Sequence, residues 1–199
     1  MTEATPIDVP LAAVHEAIAA SRPDEYCLVF RDRRFTWQQI TDRTRRLANA
    51  LLDRGLGCHT ERSELANHVS GQDHLAIYLH NGNEYLESML GALKARVCSM
   101  NVNYRYVAEE LHYLLTDAQA TAIVVHSQFA PTLAEVLPQL PHLRVILQVD
   151  DESGNDLLPG AVWYEDALAA ASPERPAVDW SGDDLYMLYT GGTTGMPKG

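Results

Sequence analysis

Positive charge is scarce in this chain: 15 lysines and arginines stand against 27 aspartates and glutamates, a formal net charge of −12 at pH 7, with an isoelectric point near 5.0. Such an acidic molecule repels the phosphates of nucleic acid and of anionic lipid, so nonspecific binding to either is excluded. Any anionic ligand must be held locally. Cysteine is scarce too. Cys27, Cys58 and Cys98 are scattered, odd in number and free of any C-x-x-C pair, which excludes a disulfide framework and fits reduced thiols in the cytoplasm. No apolar run approaches the ~20 residues of a membrane-spanning helix. Met1-Thr2-Glu3-Ala4-Thr5-Pro6-Ile7-Asp8 has neither the basic nor the apolar stretch of a secretory signal. A cytoplasmic protein with no membrane span is expected. Repeats and low-complexity tracts are also missing. What is there is ordinary globular material, 46% hydrophobic and 21% charged over 199 residues, enough for one to two domains with a real core.

Metal-ligand spacing is missing as well. Cys58, His59, His68 and His74 fall in or beside residues 57–73, an irregular connection, yet no C-x-x-C or H-x-x-x-H pair preorganises a tetrahedral zinc site, and surface histidines are expected. The acidic loop 150–160 puts Asn155 or Asp156 where a calcium loop needs its sixth-position glycine, so it reads as solvated. Arg43, Arg45 and Arg46 read as the solvated face of a helix.

The apolar pattern organises the rest. A helix is expected over 11–20, a strand over 26–30 and a hairpin turn at Arg31-Asp32-Arg33. Thr36 and Gln39 have capping-box spacing, and Ile40, Thr44, Leu47 and Leu51 recur at helical intervals until Gly55 offers a stop. Strands are expected over 75–79, 97–102, 121–125, 145–147 and 185–189. Helices fall between them, over 107–117, 128–137 and 163–171, with one more whose apolar face is Tyr85, Leu86, Met89, Leu90 and Leu93. Short apolar strands alternating with helices give an α/β fold, a mainly parallel sheet flanked by helices on both faces.

The last eleven residues carry the chemistry. Tyr189-Thr190-Gly191-Gly192-Thr193-Thr194-Gly195-Met196-Pro197-Lys198-Gly199 is rich in glycine and threonine and ends in a lysine. Glycines let backbone N–H groups converge on an anion, threonine hydroxyls add rotatable donors or oxygen ligands, and Lys198 adds a mobile cation. It is not a Walker A loop. Met196 and Pro197 precede the lysine where a glycine is required, and Gly199 follows where a hydroxyl is required. An exposed turn between strands is the plainer reading of any Gly-rich loop.

Ten of these eleven residues match Y-T-[ST]-G-[ST]-T-G-x-P-K-G, and the loop resembles the phosphate loop of the adenylate-forming (AMP-binding) superfamily. Gly191 stands where most members carry Ser or Thr, which removes one hydroxyl and keeps the backbone. "LAIYLHNGNEYLESMLGALKA", "NVNYRYVAEELHYLLTDAQATAIVVH" and "DDLYMLYTGGTTGMPKG" extend the likeness over nearly the whole chain. They resemble the N-terminal part of bacterial fatty acyl-CoA synthetases, in the group of fatty-acid and steroid-side-chain CoA ligases. Residues 57–73 fit least and look like an insertion.

The resemblance implies the N-terminal portion of the adenylate-forming fold, cut at the phosphate loop. It implies ATP-dependent activation of a fatty or related carboxylic acid to an acyl-adenylate, then transfer to coenzyme A. By position, Thr190, Gly191, Gly192, Thr193, Thr194, Gly195 and Lys198 would hold the β- and γ-phosphates of ATP, with Thr190 also a Mg2+ ligand. The adenine and ribose sites, most of the acyl pocket and the catalytic lysine would lie beyond Gly199, so no catalytic residue is expected within the chain, which is expected to be inactive alone. Rival readings are an acyl-AMP ligase, a peptide-synthetase adenylation domain, and a nonenzymatic α/β nucleotide-binding module.

Overall fold

The computed structural model describes residues 9–66 and 68–190. Helix α1 (Leu11–Ser21) precedes an antiparallel hairpin of β1 (Tyr26–Phe30) and β2 (Arg33–Thr36), and α2 (Trp37–Leu52) follows. The expected capping box is present. Thr36 Oγ1 accepts from the Gln39 amide at 3.3 Å, while Gln39 Oε1 accepts from the Thr36 amide at 2.8 Å, satisfying two donors that a helix start leaves unpaired. Gly55, at φ +73°, turns the chain just after α2.

Strand–helix alternation then follows in β3 (His74–Tyr78), α3 (Asn83–Lys94), β4 (Cys98–Asn101), α4 (Ala108–Asp117), β5 (Ala122–His126), α5 (Ala130–Val136), β6 (Val145–Val149), β7 (Val162–Trp163), α6 (Tyr164–Ala170) and β8 (Tyr186–Met187). The expected helix over 128–137 is α5 with one 3-10 turn at each end, Ser127–Phe129 and Leu137–Gln139. Six strands form one parallel sheet in the order β7-β6-β5-β3-β4-β8. Every residue of β3, β5 and β6 is buried, because helices cover both faces of the sheet. Leu75, Ile77, Val124 and Leu147 pack with α2, α3 and α6. Ala76, Tyr78, Met100, Ile123 and Ile146, the alternate residues, pack with α4 and α5. The chain leaves β3 toward β4 and returns on its other side as β5, so a topological switch point lies between β3 and β5.

Two features depart from the sequence reading. In α3 the expected apolar face, Tyr85, Leu86, Met89, Leu90 and Leu93, is only half-buried. The buried residues are Asn83, Glu84, Glu87, Ser88, Gly91, Ala92 and Lys94. Helix α2 presses against that polar side so closely that a Cβ on Gly91 would lie 2.6 Å from Leu47 Cδ2, and partners from other elements neutralise its charges. Arg43 supplies one set: its guanidinium donates to both Glu87 oxygens at 2.7 and 3.0 Å and to Glu165, while Tyr164 Oη donates to Glu87 at 2.9 Å. Lys94 Nζ and Arg45 both donate to Glu16 of α1. The arginines of α2 are therefore no solvated face. Arg46 likewise donates to the backbone oxygens of Leu168 and Ala171.

Candidate functional site

All six sheet strands run the same way, so the chain leaves β8 at the edge where β3, β5 and β6 also end. That edge is where ligands of open parallel sheets bind. Strand β8 is short. It pairs with β4 through Ser99↔Tyr186 and Met100↔Met187, two residues of the five expected from the apolar run, so side chains complete its placement. Before it, Asp184 accepts from Arg96 Nε at 3.0 Å, the Leu185 amide donates to Gln72 Oε1 at 2.8 Å, and Arg96 also donates to Glu61 at 2.7 and 2.9 Å. Arg96 takes φ +57°, a left-handed conformation that costs a non-glycine residue about 1–3 kcal/mol and persists where surrounding contacts impose it. Burial raises the Asp184 carboxyl despite the hydrogen bonds from Ser181 and Arg96. Through Glu61 and Gln72 the segment 57–73 thus braces the strand that leads to the loop. After β8, Tyr189 packs its ring partly against the core and donates its phenol to Asp117 Oδ2 at 2.7 Å.

A second feature shares this edge. A cleft of about 850 Å³ opens at the switch point between the β1–β2 turn and the ends of β3, β5 and β6; Arg33, His80, Glu84, His126, Gln128 and Asp151 line it. His126 Nδ1 accepts from the His80 amide at 3.0 Å, which puts the ring proton on Nε2, and burial lowers its pKa so that the ring is neutral at pH 7. Arg33 is already committed to Asn83 and Glu84, at 2.7 and 2.9 Å. Asp32, Asp150, Asp151 and Glu152 add negative charge to the rim against Arg31. Such a recess suits a polar, uncharged group and opposes a polyphosphate.

Of the residues singled out in the sequence, Thr190 is described and exposed at the end of the β8 stretch. Gly191, Gly192, Thr193, Thr194, Gly195 and Lys198 lie outside the described residues. Of the histidines expected at the surface, His59 and His68 are exposed, but His74, the first residue of β3, is buried and donates from Nδ1 to the Ala118 carbonyl; His59 pairs with Asp73, and Cys58 with the Thr60 carbonyl. No cluster of three His, Cys, Asp or Glu able to hold a metal occurs among the described residues. Sequence reasoning missed Asp117, Asp184, Arg96 and the His80–His126 pair. Their partners stand 46 to 88 positions away in the chain, beyond any local pattern.

The same architecture occurs in solved structures. An anthranilate CoA ligase, AuaEII, crystallised with anthranoyl-AMP, superposes with a TM-score of 0.82 at 21% identity, over 97% of this chain and 34% of that one. A Mycobacterium tuberculosis fatty acyl CoA synthetase gives 0.73 at 21% identity, over 94% and 33%. The fold is therefore that of the N-terminal region of adenylate-forming enzymes. The chain belongs to the AMP-binding enzyme family, which it matches over residues 15–199. Among curated proteins it is 58% identical over 187 residues to the medium-chain acyl-CoA ligase Mig of Mycobacterium avium, covering 94% of this chain and 34% of that protein. It is 40% identical over 178 residues to a medium/long-chain-fatty-acid–CoA/3-oxocholest-4-en-26-oate–CoA ligase of Mycobacterium tuberculosis, covering 89% and 30%. It thus spans about a third of the length of these relatives. Among the described residues no helix is long and apolar enough to cross a membrane.

Proposed function

We propose that this chain forms the ATP-phosphate-binding part of an acyl-CoA synthetase that activates a medium- or long-chain fatty acid, or a related carboxylic acid, in the cytoplasm. One observation carries this reading: a strand at the carboxyl edge of the parallel sheet delivers an eleven-residue segment matching the family's phosphate loop at ten positions. The identity with acyl-CoA ligases supports it. On this reading residues 1–199 are part of one N-terminal AMP-binding domain, and 57–73 is an insertion that braces β8.

A carboxylate cannot expel oxide, so the acid attacks the α-phosphate of ATP, giving acyl-adenylate and pyrophosphate; the thiol of coenzyme A then displaces AMP. Charge accumulates on the departing pyrophosphate. Backbone amides of Gly191, Gly192 and Gly195, the hydroxyls of Thr193 and Thr194, and the ammonium of Lys198 would meet it with dipoles and a cation already in place. On this reading Mg2+ would take its protein oxygen from Thr190. Thr190 is an exposed residue at the end of the β8 stretch, and a single protein hydroxyl is consistent with the habit of Mg2+ of taking few protein ligands. Its role there would be to neutralise phosphate charge.

Adenine, ribose and the reacting acid need partners that the resemblance puts beyond Gly199, and without that positioning adenylation loses most of its rate. The 199-residue chain should therefore bind ATP feebly, more feebly still as Lys198→Ala, and release no pyrophosphate above background with ATP and fatty acids of C8 to C18. Robust turnover would overturn the division of labour. Tight ATP binding without turnover would favour a nonenzymatic nucleotide sensor.

A further inference from the structure

Two residues after its short ladder with β4, the chain is fastened again by a side chain. Tyr189 donates its phenol to Asp117 Oδ2 at 2.7 Å, across 72 positions of sequence. Asp117 is the last residue of α4 and is exposed. A carboxylate is poorly placed there: the partial negative charge of the helix end disfavours it by about 0.3–1 kcal/mol. Helix stability alone gives no reason for an acid at this position. As an ionised acceptor it does make a stronger hydrogen bond than a neutral one. Burial, and Asp117 beside it, raise the Tyr189 phenol above its ordinary ionisation range, so it stays a donor at every working pH.

We propose that Asp117 is a positioning residue for triphosphate binding. Acting through Tyr189, it fixes the point at which the chain leaves the sheet, and so the place from which the residues after Thr190 continue. The backbone ladder at Tyr186 and Met187 sets the strand. The phenol–carboxylate bond sets its exit. This inference rests on the proposed role of residues 190–198 as the phosphate loop.

The test uses the 199-residue chain, with MgATP binding followed by NMR titration, which reaches millimolar affinities, and thermal denaturation recorded alongside. Tyr189→Phe removes one hydroxyl and keeps the ring. It should weaken MgATP about five- to tenfold, the scale of one net hydrogen bond, with the melting temperature lowered by no more than about 5 °C. Asp117→Ala should weaken binding equally, and the double variant no further. Asp117→Asn, whose amide oxygen can still accept from the phenol, should keep affinity within about twofold. If Asp117→Ala proves unstable, Tyr189→Phe and Asp117→Asn decide alone. Undiminished affinity in Tyr189→Phe would overturn the inference and leave the phosphate-loop reading standing, as would a loss in Asp117→Asn as large as in Asp117→Ala. A wild-type chain whose spectrum shows no response to MgATP would overturn both.

Discussion

His15 carries both ring nitrogens into the interior with no hydrogen-bond partner among the described residues, 6% exposed and tilted against Trp37 at 5.5 Å. Burial foremost, then the Lys94 and Arg45 charges against the opposing Glu16, lower its pKa from 6.5 to about 4. A base held neutral in the fold binds its proton first in the unfolded chain. Its contribution is thus fully present above pH 6.5 and lost as pH falls toward 4. The difference is on the order of 3 kcal/mol at about 1.4 kcal/mol per pKa unit. Urea denaturation at pH 7 and pH 4 should therefore show the wild-type chain losing that much more stability than His15→Leu, in which the ring is replaced by a side chain that cannot titrate. Equal losses would mean that His15 finds a proton partner. The carboxylates lowered in the fold, Glu16, Asp73 and Asp151, titrate in both proteins and largely cancel in the comparison.

At the scale of elements, the contact of α2 with α3 depends on Gly91. Alanine there would gain roughly 1 kcal/mol of helix propensity. Its Cβ would also meet Leu47 Cδ2 at 2.6 Å and Cγ at 2.8 Å, and overpacking of that kind costs about 1–3 kcal/mol. Gly91→Ala should lower the melting temperature, and the double variant with Leu47→Ala should lose less than the sum of the two single losses, since the cavity and the intruding methyl share one space. A Gly91→Ala variant more stable than wild type would show that the helices separate at no cost. The same pair of helices marks where sequence legibility ends. The Thr36–Gln39 box, the buried runs of β3, β5 and β6 and the turn after Phe30 follow from local spacing and could be read directly. The polar buried side of α3 could not, because periodicity registers apolar residues and is blind to a glutamate whose burial Arg43 and Tyr164 make tolerable from 44 and 77 positions away. The candidate site divides likewise. Its loop was legible as a residue motif, while the side chains bracing β8, Asp117 with Tyr189 and Asp184 with Arg96, depend on a fold that brings distant segments together.

For the whole molecule, charge decides how the nucleotide arrives. A net charge of −12 repels ATP at long range, and the acidic rim of the switch-point cleft adds to that repulsion. Lys198 and the loop amides would attract it only at contact. These two effects respond differently to salt. The Debye length shrinks from ~30 Å at 0.01 M to ~8 Å at 0.15 M, so repulsion from charges spread over the molecule is largely screened, whereas attraction across ~4 Å survives. The affinity of the 199-residue chain for ATP should accordingly rise with ionic strength over that range, by about threefold to tenfold, opposite to the usual weakening at cationic phosphate sites. Titrations at fixed Mg2+ with added potassium chloride would measure the slope. Affinity that falls with salt would place a concentration of unpaired positive charge near the nucleotide, and the chain has only two lysines, Lys94 and Lys198, to supply an ammonium group. With Lys94 buried against Glu16, loss of such a slope in Lys198→Ala would assign the charge to Lys198 and its persistence would assign it to an arginine, which makes the sign of the salt dependence and its response to this one substitution a paired test of local phosphate capture.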